Sequence, residues 1–144
     1  MNMNFEELAK ERRSAINFIE GVEISDEELT KIFELTKLSP SCFNLQHAHY
    51  VVIREKELKA RVREAAFGQY KVQTASAVIL VFGDRKAYEK VESIYFGMKM
   101  LKMIDEYEYE DIIKQVKGLY EGKGERFQED EAVRNASLSA MSFM

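Results

Sequence analysis

An uninterrupted apolar run from Val78 to Phe82 constrains the fold of this chain most. It ends at Gly83-Asp84 and is far too short to cross a bilayer, which takes about 20 residues in a helix. Its lack of alternation predicts a strand that is buried on both faces. A second strand is predicted at Tyr50–Ile53, where an aromatic residue precedes β-branched ones. The chain must therefore build a sheet from short strands.

Helical patterns surround both strands. Asn4 with Glu7, and Ser25 with Glu28, have the spacing of capping boxes and predict two helix starts. The second helix should end before Pro40. Further helices are predicted at about 57–66, in two stretches between 84 and 120, and from about 130 onward. A loop is predicted at Gly122–Gly124. The last helix should have an apolar face formed by Ala132, Val133, Ala136, Ser137, Ala140, Met141 and Met144. These patterns predict a domain of mixed helices and strands.

Length and charge exclude several classes of protein. A chain of 144 residues fits a single domain. Its 21 basic and 25 acidic residues form no basic stripe, so we predict no nucleic-acid partner. The N-terminus lacks the pattern of a signal peptide, and no apolar run is long enough to span a bilayer. We therefore predict no membrane partner. One cysteine excludes an internal disulfide, and we predict a cytoplasmic location.

Two polar segments are the strongest candidates for a binding site. Arg12-Arg13-Ser14 combines forked cations with a hydroxyl, which suits a phosphate. The segment Ser39–Gln46 lies between a helix and a strand, and its Ser, Asn and Gln side chains suit the edge of a planar heterocycle. Taken singly, the first is commonly a solvated surface tripeptide and the second a helix stop with a connector.

Other chemistry has weaker support. Cys42, His47 and His49 are of metal-ligand type, but no fourth ligand lies nearby, so we predict ordinary polar residues and no metal. Nothing identifies a base for Cys42 as a nucleophile. Gly122-Lys123-Gly124 follows no strand and is not a dinucleotide fingerprint. We predict no catalytic side chain.

In order along the chain, these segments resemble the nitroreductase family of flavin mononucleotide (FMN) enzymes. The resemblance rests on the Arg-Arg-Ser tripeptide, on Pro40-Ser41-Cys42-Phe43-Asn44-Leu45-Gln46, on Gly68-Gln69-Tyr70, and on Ala75-Ser76-Ala77 before the second strand. It extends over the whole chain to Met144. It implies an α+β fold with helices around a central, mainly antiparallel sheet, paired as a homodimer.

The resemblance also implies a flavin site at the dimer interface. Arg12, Arg13 and Ser14 would hold the FMN phosphate and ribityl chain. Four residues of the second segment would reach the flavin of the partner subunit, namely Pro40, Ser41, Asn44 and Gln46. Gln69 and Lys71 would face the polar edge of the isoalloxazine ring.

The implied function is an FMN-dependent oxidoreductase that takes hydride from NADH or NADPH and reduces a nitro-aromatic, a quinone or a similar small-molecule acceptor. The chain departs from the family at Ile16, where a basic residue is frequent, and at His47-Ala48, where Pro-Trp is frequent. The family chain also continues into further strands. We therefore expect residues 1–144 to form a single nitroreductase-like domain that is incomplete at its C-terminus. The alternative is a non-catalytic remnant that binds flavin or dimerises.

Overall fold

The structure, a computed structural model, describes residues 4–144, which form mainly helices and one small sheet. The helices are α1 Phe5–Glu11, α2 Asp26–Thr36, α3 Lys56–Ala65, α4 Tyr70–Thr74, α5 Val91–Met100 and α6 Glu106–Phe143; the strands are β1 Ala48–Ile53 and β2 Val78–Gly83; short 3-10 turns cover Cys42–Asn44 and Ala87–Lys90. The chain divides into two compact units: the first unit contains residues 4–24 and 52–78, and the second contains residues 25–51 and 79–144.

Reciprocal capping bonds fix the starts of three helices. The Glu7 N–H donates to Asn4 Oδ1 at 3.0 Å, and the Ser25 box closes in the same way, so both predicted boxes are confirmed. A third box opens α6, where the Glu108 N–H donates to Asp105 Oδ1 at 2.8 Å. Each box satisfies backbone donors that have no partner within the helix. Local sequence therefore sets these three helix starts.

The first unit is held by α3 packing on α4. Arg63 of α3 donates to the Gly68 carbonyl at 3.2 Å and to Gln73 Oε1 at 2.7 Å. The buried Lys59 ammonium donates to the Ala75 carbonyl at 2.8 Å. These bonds tie the two helices together across the Phe67-Gly68 turn, where both residues have positive φ.

The second unit contains the main hydrophobic core. α5 and α6 pack together and enclose a cluster formed by Leu45, Ala87, Tyr88, Val91, Val116 and Tyr120. The Tyr120 ring stacks on Tyr88 with centroids 5.2 Å apart and meets Phe127 edge-on at 5.3 Å. Aromatic pairs of this geometry add about 0.5–1.5 kcal/mol to the effect of burial.

The sheet is an antiparallel pair of β1 and β2 within residues 4–144. Beyond the strands, the Asp84 N–H donates to the His47 carbonyl at 2.8 Å. The predicted burial of Val78–Phe82 on both faces is wrong, because the Phe82 side chain is 52% exposed and the other residues are at best half-buried. A strand with one described neighbour has a free edge, so an apolar composition does not by itself enclose it.

α6 consists of two helical segments joined at Gly124. This glycine has φ 75° and ψ −173°, a conformation that is essentially restricted to glycine. The break is narrower than the predicted loop at Gly122–Gly124, and the helix resumes before the predicted start near Asp130.

The buried face of the last segment also differs from the prediction. Ala132 and Ala136 are buried as expected, but Val133, Ser137, Met141 and Met144 are exposed. Three polar residues are buried in their place, namely Glu131, Asn135 and Ser139. They are tolerated because each one has hydrogen-bond partners within the unit.

Gly83 allows β2 to approach α6 closely. A Cβ at this position would lie 2.6 Å from the Ala132 carbonyl oxygen, so the backbone would have to shift. We expect Gly83→Ala to lower the free energy of unfolding by about 1–3 kcal/mol, the usual cost of overpacking. Gly118→Ala is the matched control, since a Cβ there meets nothing within 4 Å and alanine favours the helix by up to about 1 kcal/mol. Urea denaturation of both variants checks the prediction, and equal midpoints would contradict it.

Candidate functional site

Residues 39–46, which we call the polar loop, have an unusual backbone. Phe43, Asn44 and Gln46 have φ of 50°, 54° and 53°, a left-handed conformation that non-glycine residues rarely adopt. Side chains inside the loop support it, because Ser41 Oγ accepts from the Gln46 N–H at 3.1 Å. Gln46 Nε2 also donates to Asn44 Oδ1 at 2.5 Å. A strained loop with internal bonds of this kind is a frequent feature of binding sites.

The rest of the second unit anchors the polar loop from beneath. Leu45 is fully buried in the core cluster. The Cys42 N–H donates to Asn135 Oδ1 of α6 at 2.7 Å, and the Tyr95 hydroxyl donates to the Phe43 carbonyl at 3.2 Å. With the backbone fixed, the amide side chains of Asn44 and Gln46 stay exposed at the surface.

A cavity of about 200 Å³ adjoins the polar loop. It is lined by Pro40, Ser41 and Gln46 of the loop and also by Tyr50 and Ser139. The Tyr50 and Ser139 hydroxyls lie 2.6 Å apart and satisfy each other. The cavity is smaller than the roughly 300–1,000 Å³ typical of ligand pockets, so it can take only part of a ligand.

A buried polar network lies behind the loop. His47 Nε2 is 3.3 Å from the Tyr120 hydroxyl, which lies 3.5 Å from Glu131 Oε2. Asn135 Nδ2 donates to the Glu131 carbonyl at 2.8 Å and to Glu131 Oε2 at 3.2 Å, and the Arg134 guanidinium also binds the Glu131 carboxylate. Burial raises the pKa of the Tyr120 hydroxyl well above its usual range. The network therefore keeps Tyr120 as a neutral donor.

His47 is almost completely buried, with 1% of its surface exposed. Its Nδ1 atom has no hydrogen-bond partner among residues 4–144. Burial lowers the pKa of His47 and Lys90 adds to this, while Glu131 and Asp84 oppose it. The imidazole is consequently held in its neutral form in the folded protein.

The depressed pKa of His47 predicts an acid-sensitive fold. Unfolded histidine takes up a proton near pH 6.5, whereas folded His47 does so only at lower pH. The unfolded state thus binds more protons, and the stabilisation that is complete above about pH 6.5 should be lost as the pH falls toward the folded pKa. We expect the free energy of unfolding to fall between pH 7.5 and 5.5. His47→Gln should make the free energy of unfolding less dependent on pH. The control His49→Gln, at an exposed site, should leave the dependence unchanged. Equal pH dependence in the two variants would contradict the assignment of this effect to His47.

The predicted phosphate segment lies at the C-terminal end of α1 in the first unit. The Arg12 N–H closes the helix on the Leu8 carbonyl at 2.9 Å. Arg13 Nη1 donates to the carbonyls of Lys10 and Arg12, so this guanidinium already covers the helix end. The side chains of Arg12 and Ser14 are exposed and have no hydrogen-bond or ion-pair partner among the described residues. They are therefore available to an anion.

The remaining predicted residues are divided between the two units. Gln69 precedes α4 and is exposed, and Lys71 in α4 is half-buried; both belong to the first unit with Arg12, Arg13 and Ser14. Pro40, Ser41, Asn44 and Gln46 belong to the second unit, where the polar loop brings them together.

No metal-binding cluster of His, Cys, Asp or Glu is found in residues 4–144. His49 instead lies 3.5 Å from Asp84 Oδ2 at the surface, beside Lys90. Burial raises the pKa of the Cys42 thiol, which disfavours the thiolate that a nucleophile needs.

Among residues 4–144, no helix has the length and apolar character required to cross a membrane.

Sequence reasoning missed the contribution of α6 to this region. Asn135 and Glu131 support the polar loop and its network, although they are about 90 residues away from it along the chain. Their spacing of four residues places both on one helix face, but the sequence alone does not show that this face is buried. Burial of that face made them structural partners of the loop.

Comparison with known proteins gives one consistent result. The sequence model of the nitroreductase family matches residues 9–144. MhqN of Bacillus subtilis, which carries the name of an NAD(P)H nitroreductase, is 49% identical over 140 residues, or 97% of this chain and 68% of MhqN.

Solved structures agree with the sequence match. A crystal structure of a nitroreductase-type protein from Bacillus subtilis superposes with a TM-score of 0.94 at 48% identity and covers 97% of this chain. A nitroreductase-type protein of Exiguobacterium sibiricum, solved in complex with FMN, has a TM-score of 0.88 at 35% identity and covers 99% of this chain. In both comparisons the chain spans 68% of the other protein.

Proposed function

Because the chain belongs to the nitroreductase family, we propose that it is an FMN-dependent oxidoreductase. In this proposal NADH or NADPH is the reductant, and a nitro-aromatic, a quinone or a similar small molecule is the acceptor. The family match and the FMN bound by the Exiguobacterium relative support it. The single observation that carries it for this chain is the polar loop, which is strained, internally bonded and anchored so that its amides face outward.

The residues of this chain fit FMN in their chemistry. Arg12 and Ser14 offer a cation and a hydroxyl without partners among residues 4–144, which suits the phosphate. Asn44 and Gln46 offer exposed amides with both donors and acceptors, which suits the ring edge. The fit extends to Pro40, whose ring lies in the cavity wall and offers an apolar surface.

We assign the roles as follows. Arg12, Arg13 and Ser14 hold the phosphate and ribityl chain, and Gln69 and Lys71 face the polar edge of the isoalloxazine. The polar-loop residues Pro40, Ser41, Asn44 and Gln46 serve the flavin of the partner subunit.

When bound, FMN supplies the hydride chemistry, which belongs to the cofactor and not to a protein side chain. The protein binds the phosphate, orients the ring by hydrogen bonds and limits the access of water. Cys42 takes no covalent part, because its thiol is neutral. We accordingly assign no catalytic side chain.

The test of this function is reconstitution of the full chain with FMN. We expect saturable quenching of flavin fluorescence, followed by oxidation of NADH or NADPH that depends on added benzoquinone or nitrobenzene. Free FMN at the same concentration is the blank. Absence of FMN binding would overturn the proposal.

A second outcome of the same experiment distinguishes the alternative function. FMN binding without oxidation of NADH or NADPH would favour a flavin-binding or dimeric interaction protein that is not an enzyme. Turnover with a measurable acceptor preference would exclude that alternative.

We further propose a homodimer with the flavin site at its interface. The family is typically dimeric, and Val133 and Met141 on α6 leave apolar surface exposed. Sedimentation velocity at micromolar concentration should give a dimer that FMN stabilises further by mass action. A monomer that retains FMN would contradict this arrangement. The cytoplasmic location stays a prediction from the sequence.

A further inference from the structure

We propose that Asn135 of α6 is a positioning residue for the flavin, because it holds the polar loop in the conformation that presents Ser41, Asn44 and Gln46. This inference rests on the proposed function, in which those side chains serve FMN. It adds to that function a residue that the motifs in the sequence do not identify.

The central contact is one hydrogen bond. Asn135 Oδ1 accepts from the Cys42 N–H at 2.7 Å across 93 residues of sequence. Cys42 begins the 3-10 turn Cys42–Asn44, so the bond fixes the point at which the loop enters its unusual backbone conformation. Ser41, whose hydroxyl organises the loop, is the adjacent residue.

Asn135 is itself held in a defined orientation. Only 3% of its surface is exposed, and its Nδ2 donates to the carbonyl and the carboxylate of Glu131. With Nδ2 committed to two acceptors, Oδ1 is directed toward the loop. Glu131 is fixed in turn by Arg134 and Tyr120.

The loop needs such an external bond because its conformation is costly. Its three non-glycine residues with positive φ lie in a sparsely populated and energetically unfavourable region of backbone conformation. Without the bond to Asn135, the loop would populate more relaxed conformations. The apparent affinity for flavin would then fall in proportion to the population of the conformation that can bind flavin.

Asn135→Ala and Gln128→Ala form a matched pair of variants. Gln128 is another amide side chain of α6, but it does not line the cavity and donates to the Tyr120 carbonyl at 3.1 Å instead of binding the loop. Both changes remove a side-chain hydrogen bond made by an amide of α6. Only the first removes one from the polar loop.

The readouts are the dissociation constant for FMN and the amide hydrogen exchange of peptides covering residues 39–46. We expect Asn135→Ala to raise the dissociation constant about tenfold and to accelerate exchange in the loop. We expect Gln128→Ala to change the constant less than twofold with unaltered loop exchange. Equal effects of the two variants on FMN, or unchanged loop exchange in Asn135→Ala, would overturn the proposal.

Asn135→Asp is a conservative variant that should restore the bond to the loop. It also tests the proposal if Asn135→Ala does not fold. The aspartate keeps an acceptor for the Cys42 N–H, but it places a second carboxyl group beside Glu131. Two neighbouring carboxylates repel each other, so the native arrangement should be favoured when the pair shares a bound proton. We expect FMN affinity within threefold of wild type at pH 6.5 and a progressive loss toward pH 8 that wild type does not share. A loss that is independent of pH would overturn the positioning role. If wild type itself binds no FMN, the proposed function fails, while the exchange data still decide whether Asn135 holds the loop.

Discussion

Replacing Arg12 and Ser14 together with alanine should weaken FMN binding at least a hundredfold. Neither side chain has a partner among residues 4–144, so each is free to make a charge-assisted bond to a phosphate. Such bonds contribute about 1.5–3 kcal/mol each, and every 1.4 kcal/mol corresponds to about tenfold in affinity. A titration of flavin fluorescence measures the change, and circular dichroism should show unaltered helical content.

The matched control for this double variant is Arg126→Ala. The Arg126 side chain is 84% exposed and forms an ion pair with Asp130. Its replacement by alanine removes one positive charge, as the Arg12 and Ser14 variant does. We expect FMN affinity to change less than twofold in the control. An unchanged affinity in the Arg12 and Ser14 variant would remove both residues from the site, and an equal loss in both variants would indicate a general effect of charge.

Leu45→Ala should strongly destabilise the second unit. The Leu45 side chain is fully buried in the core cluster with Val91, Val116 and Tyr120. Truncation of such a residue leaves a cavity and costs about 2–5 kcal/mol. Urea denaturation followed by circular dichroism gives the free energy of unfolding.

Leu35→Ala makes the same chemical change on α2 at a site that is 70% exposed. We expect it to alter the free energy of unfolding by less than about 0.5 kcal/mol, as is usual for surface substitutions. Similar losses in the two variants would show that Leu45 does not anchor the polar loop in the core. A loss confined to Leu45→Ala would confirm that this anchor is part of the folded core.

Features that depend on a few neighbouring residues could be predicted from the sequence. Asn4 with Glu7 and Ser25 with Glu28 form the expected capping boxes, since the partners of each bond lie three residues apart. Asp105 with Glu108 has the same spacing and could have been recognised in the same way. The polar loop was located correctly because Pro40 ends the preceding helix pattern.

Features that depend on tertiary contacts could not be predicted. The burial of Glu131 and Asn135 follows from hydrogen bonds to residues far away in the sequence, so helical periodicity wrongly favoured Val133 and Met141. The close approach of Gly83 to Ala132 likewise exists only once β2 lies against α6.

The half-exposed strand β2 has a consequence for the behaviour of the protein in concentrated solution. Its core segment Val78–Phe82 combines high β-propensity with the absence of charge and proline, which is the composition of segments that pair between molecules. Asp84, Arg85 and Lys86 follow the strand directly and carry both signs of charge. Charged residues in such flanking positions act as gatekeepers against edge-to-edge aggregation. The solubility of this chain should therefore depend more on these three side chains than on its overall net charge.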